Sequence, residues 1–140
     1  MEFRFSNWIK YKDYKKLDGC KLPGVYIMAH FKKVPASTGS PSSKNVIYIG
    51  ETTSQTIEKR LYQFGYSAFK HGIAHSGGWS YSYEFLNNEI TEEIPDNLYV
   101  SIMGVDKPQL ESKAYIKYLE RAAIWDHFKK NKSYPICNNE

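Results

Sequence analysis

Two cysteines in 140 residues, Cys20 and Cys137, are too few for a disulfide framework. Nor do they combine with histidines at zinc-ligand spacing. Both read as reduced thiols, the pattern of a cytoplasmic protein. No apolar run approaches the roughly 20 residues that a membrane-spanning helix needs. Met1-Glu2-Phe3-Arg4-Phe5 has neither an apolar core nor a small-residue cleavage site, so no secretory signal is expected there. A glycine-rich phosphate loop, a nucleophile-elbow motif and internal repeats are also missing. These absences set aside disulfide scaffolds, zinc modules, membrane spans, nucleotide-binding loops and repeat arrays.

What remains is the size of one globular domain, with 41% hydrophobic and 24% charged residues. Its net charge of +4 is unevenly spread. Residues 1–70 hold 12 Lys/Arg against 5 Asp/Glu, and residues 71–140 hold 7 against 10. A basic half with interleaved Tyr and Trp suits a polyanionic partner such as nucleic acid, and it equally suits a solvated lysine-rich surface.

Along the chain, residues 6–17 predict a short helix or irregular segment, stopped by Gly19. Leu22-Pro23-Gly24 launches a strand from Val25 to about Phe31, and Asn45 to Gly50 forms a second. The small, polar residues 34–44 between them predict a mobile loop. Two neighbouring strands are most simply antiparallel, and alternation puts Gly24, Tyr26 and Met28 on one face, as it does Val46, Tyr48 and Gly50. A helix capped by Thr52, Thr53 or Ser54 runs to about Phe69, with Ile57, Leu61, Phe64 and Ala68 on one stripe and Arg60 at its margin. Lys70 to Gly78 reads as a loop, Trp79 to Leu86 as a possible strand, and Leu98 to Val105 as a central strand. Asp106, with Gln109 three residues on, predicts the start of a helix reaching about Lys130. That helix has apolar residues on two sides, which predicts cover on several faces.

Taken singly, the polar candidates are ordinary. Glu120 has Ile116 and Ile124 one turn to either side, so its carboxylate needs a donor, a cation or a metal, and Lys117 offers a simple ion pair. Arg60, His71, His75, Tyr26, Tyr48 and Asn138 each have an unremarkable structural reading.

In order, however, they form a pattern. Gly24-Val25-Tyr26, Tyr48-Ile49-Gly50, Glu58-Lys59-Arg60, Leu119-Glu120 and Pro135-Ile136-Cys137-Asn138 together resemble the GIY-YIG nuclease family over roughly residues 22–138. Lys70-His71-Gly72 followed by His75 is similar to a segment of its homing-endonuclease branch. The resemblance implies an α/β (α+β) fold, a three-stranded antiparallel sheet flanked by helices. The whole chain would be one such domain, with residues 1–21 an N-terminal extension and 34–44 an insertion. It implies hydrolysis of DNA phosphodiesters with one divalent metal, Mg²⁺ or Mn²⁺. Carried over, Tyr26 and Tyr48 are the motif tyrosines, Arg60 grips phosphate, Glu120 ligates the metal and Asn138 supports the site, with Tyr26 the expected base. Where some members have a histidine one turn after the arginine, this chain has Phe64, which turns attention to a tyrosine or His75. Lys44, Lys59, Lys70 and His71 are the expected nucleic-acid contacts. Cutting both strands implies a homodimer or a partner chain. Two other readings stay open: a DNA-binding module of this fold without catalysis, and an unrelated structural α/β domain.

Overall fold

The computed structural model describes residues 3–138. Its frame is a four-stranded antiparallel sheet in the order β1-β4-β2-β3, with β1 at Ile9–Lys10, β2 at Gly24–His30, β3 at Val46–Thr52 and β4 at Leu98–Gly104. Helix α1 spans Ile57–Lys70, α2 spans Ser76–Phe85 and α3 spans Gln109–Asn131. The fold is α+β. The one strand beyond the expected three is the two-residue β1, supplied by the N-terminal segment, which continues into a 3-10 helix at Tyr11–Lys16. That segment is part of the core: Phe5, Trp8, Tyr11 and Tyr14 are buried, and the Tyr11 hydroxyl donates to the Leu61 carbonyl.

Helices cover both faces of the sheet. Tyr26, Met28, Leu98, Val100 and Ile102 pack with Ile57, Leu61, Phe64 and Ala68 of α1 and with Tyr81 of α2. Val25, Ile27, Ala29, Ile49 and Tyr99 pack with Ile116, Leu119, Ala123 and Ile124 of α3. The expected stripe on α1 is therefore buried as predicted. Its cap is Thr56, which accepts from the Lys59 amide, while Thr52 ties down the preceding turn through the Gln55 backbone.

Tyr26 lies opposite Gly50, and Met28 opposite Tyr48, so both motif tyrosines share a face. The expected place of Val46 on that face does not hold. The ladder shifts between Met28 and Ala29, where Ile47 is the extra residue. The bulge sends Ile47 to the α1 side and Val46 to the α3 side.

Residues 76–85 form α2, not a strand. In a strand Tyr81 and Tyr83 would share a face; here Tyr81 is buried and Tyr83 exposed, as a helical turn requires. An aromatic-polar alternation was compatible with both periods, and packing against α1 decided it. Gly78 sits so close to α1 that a Cβ there would lie 2.4 Å from the Phe64 carbonyl oxygen.

Helix α3 begins after Pro108 with no side-chain cap, so the Asp106–Gln109 capping box is not formed. Only one of its apolar sides is covered. Leu110, Tyr118 and Trp125 are exposed, because the sheet offers α3 a single face. Loop 34–44, expected to be mobile, is tied at several points. Asn7 bridges Thr38, Asn131 donates to the Ser42 carbonyl, and His127 Nδ1 lies 2.8 Å from the Pro41 carbonyl oxygen.

Candidate functional site

The two tyrosines meet at a gap created by glycine. A Cβ on Gly50 would lie 2.6 Å from the Tyr48 ring and 2.7 Å from the Tyr26 hydroxyl. On the other side, a Cβ on Gly77 would lie 2.6 Å from the Tyr48 ring. The Tyr48 ring is thus held between β3 and the first turn of α2. Any larger residue at either position would push it out.

His75 completes the cluster. Its backbone is fixed by the buried Ser67 of α1, whose Oγ accepts from the His75 amide at 2.8 Å and the Ala74 amide at 3.2 Å and donates to the Gly72 carbonyl at 2.7 Å. The His75 ring caps α2, with Nδ1 accepting from the Gly78 amide at 3.3 Å. Its Nε2 lies 2.8 Å from the Tyr26 hydroxyl. Burial, helped by the Arg60 charge, pushes this imidazole down to about 3, so it is neutral at pH 7. A neutral ring has one proton, and Nδ1 is already an acceptor. The proton therefore sits on Nε2, which donates to the Tyr26 oxygen.

The two phenols differ. Tyr26 is 0% exposed, and burial raises its pKa well above the usual value, with Tyr48 adding to the rise and Arg60 opposing it. Tyr48 is half-buried. Burial pushes it up to about 12, Arg60 opposes this, Glu120 adds to it, and the polar interaction with Tyr26 lowers it. Tyr48 is the phenol closer to ionisation and closer to solvent.

Arg60 projects from α1 toward the same place. Its Nη1 donates to Gln63 Oε1 at 2.8 Å and to the Ala74 carbonyl at 3.0 Å, and its charge acts on Tyr26, Tyr48 and His75. Glu120, with a side chain 16% exposed, lies on α3 with Arg121 Nε 3.7 Å away. The ion pair expected from Lys117 goes instead to Glu51, at 2.9 Å. Asn138 acts as one more strand residue. Its side chain accepts from the Ile49 amide and donates to the Ile49 carbonyl, both at 2.9 Å, fixing β3 between Tyr48 and Gly50.

Tyr26, Tyr48, Arg60, His75 and Glu120 thus act on one another, and Asn138 buttresses the strand beneath them. The other expected contacts lie further out. Lys44, Lys59 and Lys70 are exposed. His71 ends α1 in the left-handed conformation, stacks on Trp79 and lies 3.0 Å from the Ser82 hydroxyl, which gives it a structural role. Sequence reasoning missed three residues that shape the site: Ser67, Gly77 and Glu51. Only Glu51 had a visible signal, its place directly after Gly50. Compared with known protein families, curated proteins and solved structures, the chain matches none.

Proposed function

We propose that this chain is a metal-dependent endonuclease that hydrolyses DNA phosphodiesters, as its resemblance to GIY-YIG nucleases implies. The observation that carries the reading is the convergence on Tyr48. Its half-buried ring is held between Gly50 and Gly77, 6.1 Å from the Tyr26 ring, and the charges of Arg60 and Glu120, from two different helices, bear on it. Titratable groups brought from distant elements to a partly open site are a recurring feature of catalytic sites, which supports this reading.

The residue types suit an in-line displacement at phosphorus. Arg60 has the planar, permanently charged fork that grips a phosphate. Among the described residues no three His, Cys, Asp or Glu side chains form a metal cage. A hard cation such as Mg²⁺ asks for one or two carboxylates and several waters, and the largely buried Glu120 carboxylate would be the protein ligand. Such an ion would supply neutralisation of the phosphate charge and acidify a water.

Tyr48 serves as the base that takes a proton from the attacking water. Tyr26, the expected base, is fully buried and already accepts from His75, so its role becomes to hold Tyr48. The rise to about 12 already includes the lowering by Arg60, so ionising Tyr48 at pH 7 costs roughly 7 kcal/mol, which a divalent charge at the site must offset. Cleavage is therefore expected to rise with pH across the neutral range.

The test is cleavage of plasmid and single-stranded DNA in Mg²⁺ or Mn²⁺ by wild type, Tyr48→Phe and Tyr26→Phe. Tyr48→Phe should lose at least 100-fold of the rate, on the order of a lost general base, and keep DNA retention. Tyr26→Phe should lose less. DNA retained at low salt with no metal-dependent cleavage would support a binding module instead. Neither retention nor cleavage would support a structural domain.

A further inference from the structure

Glu51 has no part in the reading above, yet it has the most unusual carboxylate among the described residues. Its side chain is 18% exposed, and its Oε1 is held by Lys117 Nζ at 2.9 Å. Its Oε2 is buried with no hydrogen-bond partner. A buried carboxylate oxygen left without a donor is costly, and such an atom is normally satisfied by a donor, water or cation. Close by is a second such oxygen, Gln55 Oε1.

Both residues line one polar cavity of about 230 Å³, together with Thr52, Thr53, Ser54 and Arg60. The turn that forms it is rigid, because Thr52 Oγ1 bonds both the amide and the carbonyl of Gln55. The cavity lining thus combines the side chains of Glu51 and Gln55 with the Arg60 guanidinium. That combination fits a phosphate paired with its counter-cation better than either ion alone.

Glu51 is also tied to Glu120. Lys117 and Glu120 are three residues apart on α3, so their side chains are neighbours on its surface. The Lys117 clamp therefore draws Glu51 to the turn of α3 that carries Glu120. Electrostatically, Glu51 and Glu120 both raise Tyr48, and Glu51 raises Tyr26 as well.

We infer that Glu51 is a second carboxylate of the divalent-cation site, its Oε2 and the Gln55 side-chain oxygen facing the ion or a water bound to it while Lys117 fixes Oε1. This rests on the nuclease reading and adds a ligand to it. Lys117 is a positioning residue in this arrangement.

The experiment is direct Mn²⁺ binding, followed by calorimetry and by the Mn²⁺-dependent rise in unfolding temperature. It compares wild type, Glu51→Gln, Glu51→Asp and Glu120→Ala. Glu51→Gln keeps the shape and removes the charge. It should weaken Mn²⁺ about tenfold or more, and the Mn²⁺-induced temperature rise should shrink accordingly. Glu51→Asp should recover part of both. Wild-type Mn²⁺ affinity in Glu51→Gln, alongside lost affinity in Glu120→Ala, would overturn the role of Glu51 and leave the nuclease reading intact. Absence of both Mn²⁺ binding and cleavage in wild type would overturn the two together.

Discussion

The two faces of the sheet are built from different chemistry. On the α1–α2 face, aromatic rings and hydroxyls interlock: Tyr26, Tyr48, Phe64, His75 and Tyr81 touch edge to face or tilted, at 5.4–6.3 Å between centroids. On the α3 face the packing is mainly aliphatic, through Val25, Ile27, Ile49, Ile116 and Leu119. The first face fixes directions as well as volumes, since ring edges and hydrogen bonds are oriented. The second fills space and leaves half of its helix in solvent. The candidate site lies where the two meet, at the Gly50 end of β3, with rigid phenols from one side and carboxylates from the other.

That contrast can be broken most severely at Phe64. This ring packs on Tyr11, Tyr48, His75 and Tyr81 and is 0% exposed. Phe64→Ala should cost about 4 kcal/mol, read by urea unfolding, because the cavity sits among rings that cannot close around it. A loss under about 1.5 kcal/mol would mean that the face is more adaptable than its geometry says.

Acid provides the next test, through the histidines of the aromatic face. An unfolded histidine titrates near 6.5, and folded His75 is held down to about 3. Between those values the unfolded chain binds the extra proton. Stability is thus fully present above about 6.5 and falls by roughly 1.4 kcal/mol per pH unit below it. His30, also lowered by burial, adds in the same direction. Unfolding measured at pH 7.5 and 5 should therefore differ by about 2 kcal/mol or more. His75→Gln should remove most of that difference, and an unchanged pH slope in the variant would place the effect elsewhere.

The smallest effect belongs to the open side of α3. Trp125 is 57% exposed, with Phe128 stacked beside it and Lys129 over its ring. Trp125→Ala should shift stability by no more than about 0.5 kcal/mol, since no core contact is lost. A larger loss in unfolding experiments would show that this face is covered in solution.

The two faces also differed in how far they could be read from sequence. The α1 stripe and the Tyr26–Tyr48 face were legible because each follows a simple period. Alternation misled twice. At 79–85 the residues Trp-Ser-Tyr-Ser-Tyr-Glu-Phe carry a strand-like pattern, and tertiary packing, with Gly78 against α1, imposed a helix. At Ile47 one bulged residue reversed the face of Val46. The site residues Tyr26, Tyr48, Arg60, Glu120 and Asn138 were legible only as an ordered set. Ser67 was not legible at all, because a serine that organises a loop five to eight residues away has no local signature. Glu51 was marked only by its place after Gly50, and its partner Lys117 was expected to pair with Glu120.

The most direct measurement is cleavage of plasmid DNA in Mg²⁺ by wild type and Glu120→Ala, with DNA retention at low salt followed in parallel. The predicted result is metal-dependent cutting by the wild type, and retention without cutting by Glu120→Ala. Wild-type cutting rates in Glu120→Ala, or no cutting by the wild type on any DNA tested, would contradict a phosphodiester site at the meeting of the two faces.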